Sequence, residues 1–432
     1  MKFARNRFWL ATLAALTVGT TGVVTTATAR AATASLSVAP SGPGSDHWVA
    51  TWTSMPQLTE ASNMPPAPYT QGNHVMANTT LRQTIHVSIG GSRFRLHLNN
   101  IFGGAALPIT AASIAIPAGG AAGVSAIQAA SAKIVTFGGQ KAVTVPAGKE
   151  SISDPLYLNV ASGSNLTVTL YLAAGQASNH ITSHPGSRTT SYLAQGNHLT
   201  DTTLANATPV EHWYFLSGLD VWAPAHAGAV VMLGDSLTDG RGSTTNGNDR
   251  WPDDLFARLQ KHSATADVAV ANQAAGGNAV LSGGLGPTAL SRFDRDVLGQ
   301  SGVKWLIVFE GVNDLGVNGS PTTVNALIAA YQQFITKAHA AGIKVIGATI
   351  TPFGGNSYDD PAGTHEAARQ TVNSWIRTSH QFDAVADFDQ AVRDPANPRR
   401  LQPIYDSGDH LHLNPAGYHS LANALPYTLF TQ

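Results

Sequence analysis

The chain has 432 residues, of which 43% are hydrophobic and 12% charged, and its formal net charge is −1. That length and composition fit two or three globular domains with sizeable cores and exclude a disordered chain, and the near-neutral balance offers no footprint for nucleic acid or an anionic membrane surface. The absence of cysteine excludes disulfides, a lipid-anchored cysteine, thiol catalysis and cysteine-ligated metal.

The N-terminus reads as a secretory signal. Lys2, Arg5 and Arg7 precede the apolar run Phe8 to Val18, which is too short to span a bilayer comfortably. Ala27-Thr28-Ala29 and Ala32-Thr33-Ala34 both fit an A-x-A cleavage site. Arg5 and Arg7 are not adjacent, which argues against a twin-arginine route. Residues 1–32 are therefore expected to be removed, giving a secreted, extracellular protein with no membrane anchor, and residues 33–46 form a Ser/Pro/Gly-rich spacer.

Residues 47–225 carry the period of two that marks strands. Ile85, Val87 and Ile89 alternate with polar residues, Gly90-Gly91 follows, and Phe94, Leu96 and Leu98 alternate again, which predicts a hairpin. Val143 and Val145, then Leu156, Leu158 and Val160, then Leu166, Val168, Leu170 and Leu172 repeat the pattern. An all-β sandwich or jelly-roll-like domain is expected there.

The pattern changes in residues 226–432. Val230 to Leu233, Val268 to Ala271, Trp305 to Phe309, Val345 to Ile350 and Ala384 to Phe388 are short apolar runs separated by helix-like segments. The clearest helix starts with Ser320 as N-cap and Pro321 at its first position and ends before Gly342, with Val324, Leu327, Ile328, Tyr331, Phe334, Ile335 and Ala338 on one face. Alternating strands and helices predict an α/β domain with a parallel sheet covered on both faces, whose ligands bind beyond the carboxyl ends of the strands.

Four segments of that half carry chemistry: Gly234-Asp235-Ser236-Leu237-Thr238-Asp239-Gly240, Asn272 through Gly277 and Asn278, Gly311-Val312-Asn313-Asp314, and Asp409-His410-Leu411-His412. A serine hydroxyl becomes a nucleophile when a base takes its proton, and Gly234 allows the tight turn that presents Ser236. His412 is the favoured base and Asp409 its orienting carboxylate, on a loop leading to the helix start Asn414-Pro415. His410 is the competing base, and Asp406, His410 and His412 are a competing metal set. Backbone N–H groups of Ser236 and Gly277 and the Asn313 side-chain amide can serve a developing oxyanion. Read singly, the same residues also fit an N-cap serine, an ordinary Gly-Gly turn and an Asx turn.

Taken together the four segments resemble the signature blocks of the GDSL or SGNH hydrolases. That resemblance implies Ser236, Asp409 and His412 as the catalytic triad and Ser236, Gly277 and Asn313 as oxyanion-hole donors, with Gly277, five residues after Asn272, fitting its block better than Gly276. It implies a three-layer α/β/α domain and no metal or other cofactor. Arg250-Trp251-Pro252, Arg292 through Leu298, Asp406 through Tyr418, Trp48 through Trp52 and Thr80 through Thr84 are similar to the secreted bacterial subgroup with acetylxylan-esterase-like members. The α/β-hydrolases differ, since they need G-x-S-x-G and position 238 is Thr.

The expected function is a carboxylic ester hydrolase acting through an acyl-enzyme on short-chain acyl or O-acetyl groups, borne by a small molecule or a polysaccharide. A lipase or phospholipase of the same family and a catalytically dead carbohydrate-binding protein are the competing readings. Asn78, Asn165, Asn206 and Asn318 begin N-x-[ST] sequons, relevant only in a glycosylating host.

Overall fold

The structure is a computed structural model that describes residues 45–431. The expected signal segment and most of the spacer lie outside the described residues. Between His47 and Ala223 the chain forms antiparallel strands in several sheets. In a five-stranded sheet, Gly91–Asn99 pairs with Leu216–Ala223 along one edge and with Glu150–Ile152 and Leu156–Val160 along the other. A six-stranded sheet is centred on Thr79–His86 and Asn165–Leu172. Leu81, Ile85 and Leu166 of the second sheet and Phe94, Leu96 and Leu98 of the first enter one apolar cluster, so the period of two reports the buried face correctly.

The period does not report the partner. The expected hairpin across Gly90-Gly91 is absent, because Thr79–His86 and Gly91–Asn99 belong to different sheets. Val87 N–H still continues the ladder to Ser164 O, but the backbone then turns out of it and Ser88 N–H donates to Thr51 O, both at 2.9 Å. A Cβ at Gly90 would fall 2.2 Å from Val160 O. The glycines thus permit close backbone contact at a corner between sheets rather than forming a two-residue turn.

From Gly228 onward the strands are parallel. Numbered within their sheet, Gly228–Gly234, Val268–Ala274, Val303–Phe309, Lys344–Ala348 and Ala384–Ala386 lie in the order 2-1-3-4-5. Every residue of Gly228–Gly234 is buried, as a central strand with both faces covered requires. The helix Pro321–Ala340 begins where expected: Ser320 Oγ accepts the Thr323 N–H, and Val324, Leu327, Tyr331, Phe334, Ile335 and Ala338 are buried. Asn414 likewise caps Pro415–Asn423.

In a 2-1-3-4-5 sheet the crevice opens where chain order reverses, beyond strands 1 and 3. Gly234 and Phe309 are paired neighbours at that point. The β region packs along the edge strand Val268–Ala274: Thr53 Oγ1 donates to Asn272 O at 3.0 Å, and Val270 N–H donates to Ser88 Oγ at 3.0 Å.

Beneath the crevice lies Arg292, whose side chain is fully buried. Nη2 donates to Gly234 O and Glu310 Oε1, Nη1 to Gln273 O and Asp296 Oδ2, and Nε to Asn278 Oδ1, all within 3.3 Å. All five N–H groups are used, and they reach the ends of strands 1 and 2 and the residue just beyond strand 3. Removing this cation leaves Glu310 buried without its partner, while Asp296 keeps only the hydrogen bonds of Arg295. Arg292→Met should therefore cost about 3–5 kcal/mol of unfolding free energy. Lys337→Met, which removes the exposed 2.7 Å pair with Asp294, should cost under about 1 kcal/mol. Urea denaturation of both variants checks the contrast, and equal midpoints would refute it.

Candidate active site

Ser236 follows strand 1 as the first residue of the single helical turn Ser236–Asp239. Asp235, not Ser236, is the N-cap, its side chain accepting the Leu237 N–H at 2.9 Å. Ser236 Oγ is thereby free to face His412, whose Nε2 lies 2.8 Å away. His412 Nδ1 lies 2.6 Å from Asp409 Oδ2, and Asp409 Oδ1 accepts the backbone N–H groups of His412 and Leu411. The carboxylate therefore holds both the ring and the loop that carries it.

His410 points elsewhere. Its Nδ1 meets Asp406 Oδ2 at 2.6 Å and its side chain is half exposed. Both nitrogens of His412 are engaged with Ser236 and Asp409, so the two histidines do not converge as a metal pair. Among the described residues no group of three or more His, Cys, Asp or Glu side chains is arranged to hold a metal ion.

The three oxyanion candidates, Ser236, Gly277 and Asn313, line one cavity of about 440 Å³ with His412. Gly277 has φ +69°, in the left-handed region that favours glycine, and a Cβ there would press on Leu285 at 3.0 Å. The Gly276 N–H is already donated to Asp239 Oδ2, whereas the N–H groups of Gly277 and Ser236 have no acceptor among the described residues. Asn313 is held at both ends of its amide: Oδ1 accepts the Tyr358 hydroxyl and Nδ2 donates to Asn278 O, both at 2.7 Å. That leaves one amide hydrogen for a ligand. Asp314, next in the same block, accepts the N–H groups of Val280 and Leu281 and so braces the loop that follows Gly277.

Electrostatics separate the acid from the base. Burial works against ionisation of Asp409, but the hydrogen bonds and charge of His412 and the Leu411 N–H bring its pKa down to about 2. Burial lowers the pKa of His412 below its ordinary 6.5; Asp409 opposes this, and Arg241 and Arg188 reinforce it. A carboxylate, a neutral imidazole, a hydroxyl and three donors can together support acyl transfer through a serine.

Residues 232–419 match the model of the GDSL-like lipase/acylhydrolase family. The chain carries a domain of that family. It is a carboxylic ester hydrolase of the GDSL type. Solved structures similar to part of this chain include a GDSL-like lipase from Bacteroides thetaiotaomicron VPI-5482, 18% identical with a TM-score of 0.34 over 45% of this chain and 84% of that one. Another is the acetylxylan esterase Axe2 from Geobacillus stearothermophilus, 19% identical with a TM-score of 0.35 over 46% and 91%. The comparison with curated proteins returned no match.

The sequence reading missed the other half of the cavity wall. Gln57, Glu60, Gly186, Arg188, Glu211 and His212 all come from the β region. None lies in a motif, so nothing local marked them. Tyr358 was also missed, although it lies beyond strand 4, where site-bearing loops belong.

Two outcomes follow from this geometry. A protonated His412 cannot act as base, and its pKa lies below 6.5. The acidic limb of kcat/KM should therefore lie below pH 6.5, with activity lost as pH falls through it; a limb above pH 7 would contradict the assignment. Tyr358→Phe removes one neutral hydrogen bond on the Asn313 amide, worth about 0.5–1.5 kcal/mol, so kcat should fall roughly 2- to 12-fold with less change in KM.

Proposed function

We propose that the chain is a secreted serine esterase that removes short acyl or O-acetyl groups through an acyl-enzyme. The observation that carries this reading is the unbroken chain from Ser236 Oγ through His412 to Asp409, at 2.8 and 2.6 Å, beside two unclaimed backbone N–H groups. His412 Nε2 takes the Ser236 proton as Oγ attacks the ester carbon. The carbonyl oxygen becomes an oxyanion received by the N–H groups of Ser236 and Gly277 and by the Asn313 amide. His412 then returns the proton to the departing alcohol, and water, activated by the same imidazole, releases the acid. No step calls for a metal or a cofactor.

The short-acyl preference rests on the cavity lining. Leu285 and Leu411 are its main aliphatic side chains, set among Glu60, Arg188, Glu211 and Arg241. A long acyl chain needs contiguous apolar surface, at about 0.8 kcal/mol per buried CH₂. Among the described residues no helix is long and apolar enough to cross a membrane. The domain reading is a β-sandwich or jelly-roll-like domain over 47–225, supported by two sheets sharing an apolar cluster, and a three-layer α/β/α domain over 226–432. Secretion rests on the composition of residues 1–32 and is checked by N-terminal sequencing of the mature protein.

Hydrolysis of p-nitrophenyl acetate should nearly vanish in Ser236→Ala and His412→Ala and persist in His410→Ala. Asn313→Ala should lower kcat on the order of 10²–10³-fold. Across p-nitrophenyl esters from acetate to palmitate, kcat/KM should not rise with chain length, and acetylated xylan is a polymeric substrate to include. A steady climb toward palmitate would move the reading to a lipase, and a fully active Ser236→Ala would sink it.

A further inference from the structure

We propose that His184, in the β region, is a positioning residue for the oxyanion hole, acting through Asp239 and Gly276 on the Gly277 N–H. The inference rests on the assignment of that N–H under the proposed function.

Asp239 closes the helical turn that Ser236 opens, and its side chain is buried. Its two carboxylate oxygens have separate tasks. Oδ2 accepts the Gly276 N–H at 3.1 Å, and Oδ1 lies 2.9 Å from His184 Nε2. The peptide that follows Gly276 carries the Gly277 N–H, and neither glycine has a side chain to anchor it. The hydrogen bond to Asp239 therefore sets the direction in which the next donor points.

The orientation of Asp239 is set in turn by His184. The His184 side chain is 3% exposed, and its Nδ1 faces Met55 O at 3.0 Å. The ring is thus held between the Met55 carbonyl and the Asp239 carboxyl, one at each nitrogen. The ring stacks on Trp213 at 5.7 Å, and Trp213 is fixed by Trp52 edge-on at 4.9 Å and by its own N–H to Thr84 O. Two residues on, the Gly186 backbone lies against the same carboxylate: a Cβ there would fall 1.8 Å from Asp239 Oδ2. The segment 184–186 thus grips Asp239 by a hydrogen bond and by close contact. Without His184, Oδ1 loses its donor in a buried setting and the carboxylate gains reason to turn. Donors in a preorganised site tolerate little displacement, about 1 Å costing on the order of 10²-fold.

The test uses the full chain and four variants: His184→Ala, His184→Gln, Asp239→Asn and the His184→Ala/Asp239→Asn double variant. Each is assayed for p-nitrophenyl acetate hydrolysis and for inhibition by a methyl trifluoromethyl ketone. Ser236 Oγ adds to the ketone carbon, its proton passes to His412, and the former carbonyl oxygen becomes the oxyanion. His184→Ala should lower kcat about 10- to 10²-fold and raise Ki by a matching factor, with KM within about threefold. His184→Gln, whose amide can donate to Asp239, should recover part of both. In the Asp239→Asn background, His184→Ala should add little, because both act on one route. If His184→Ala fails to fold, the kcat-to-Ki match is read from His184→Gln and Asp239→Asn. A fall in kcat with unchanged Ki, or additive effects in the double variant, overturns the proposal while Ser236→Ala remains inactive. An active Ser236→Ala overturns it together with the underlying site.

Discussion

The site depends on three parallel strands ending at the same height, and a single buried guanidinium enforces this. Arg292 spends all five N–H groups on acceptors at Gly234, Gln273, Asn278, Asp296 and Glu310. Three of those positions directly precede or follow elements that deliver Ser236, Gly277 and Asn313. Such a cation is costly to bury and is tolerated only with every donor satisfied and a carboxylate alongside. The surrounding acids feel the same dryness. Burial and neighbouring acids drive Glu310 well above its usual range, and burial pushes Asp235 up to about 7 against the Leu237 N–H that caps it. Charge is thus concentrated below the reacting atoms, where it fixes backbone carbonyls rather than touching a ligand.

A second constraint comes from outside the parallel sheet. The β region supplies roughly half of the cavity wall and reaches the catalytic side through His184 and Gly186. It also holds the edge strand Val268–Ala274 through Thr53 and Ser88. Its contacts therefore fall on the strand that precedes Gly277, the element with no side chain of its own to anchor it. A separate contact lies before strand 3, where the buried Asp220 pairs with Arg95 and His97 and accepts the Ser301 hydroxyl from the α/β side.

Much of this was legible in the sequence, for identifiable reasons. Central parallel strands are buried on both faces, so Val230 to Leu233 and Trp305 to Phe309 stand out as unbroken apolar runs. Ser320 and Asn414 mark helix starts because capping is local. The four site segments were legible because each follows a strand or precedes a helix at short range. What failed was non-local. Period two gave the buried face of Ile85 and Leu96 but not their partners, since a strand turning a corner between sheets has the same alternation as one turning a hairpin. His184 and Arg188 carry no local signal at all; they reach the site only because the β region folds against strand 2. Tyr358 stands between, because the rule of loops beyond strand ends marks its segment but not its hydroxyl.

The same division explains the behaviour of His412. Close by, Asp409 favours the imidazolium through a 2.6 Å hydrogen bond. Burial and the β-region Arg188, together with Arg241, disfavour it, and the balance lowers the pKa. In the resting site this keeps the ring neutral, as a general base must be. Once negative charge grows on the carbonyl oxygen, the field of the arginines acts on that charge with the opposite sign and favours it. The cations that make His412 a weaker base therefore also lower the energy of the oxyanion it helps create. The net effect on the barrier is smaller than the shift in basicity alone implies, and Asp409 supplies its stabilisation in full only when the proton has arrived.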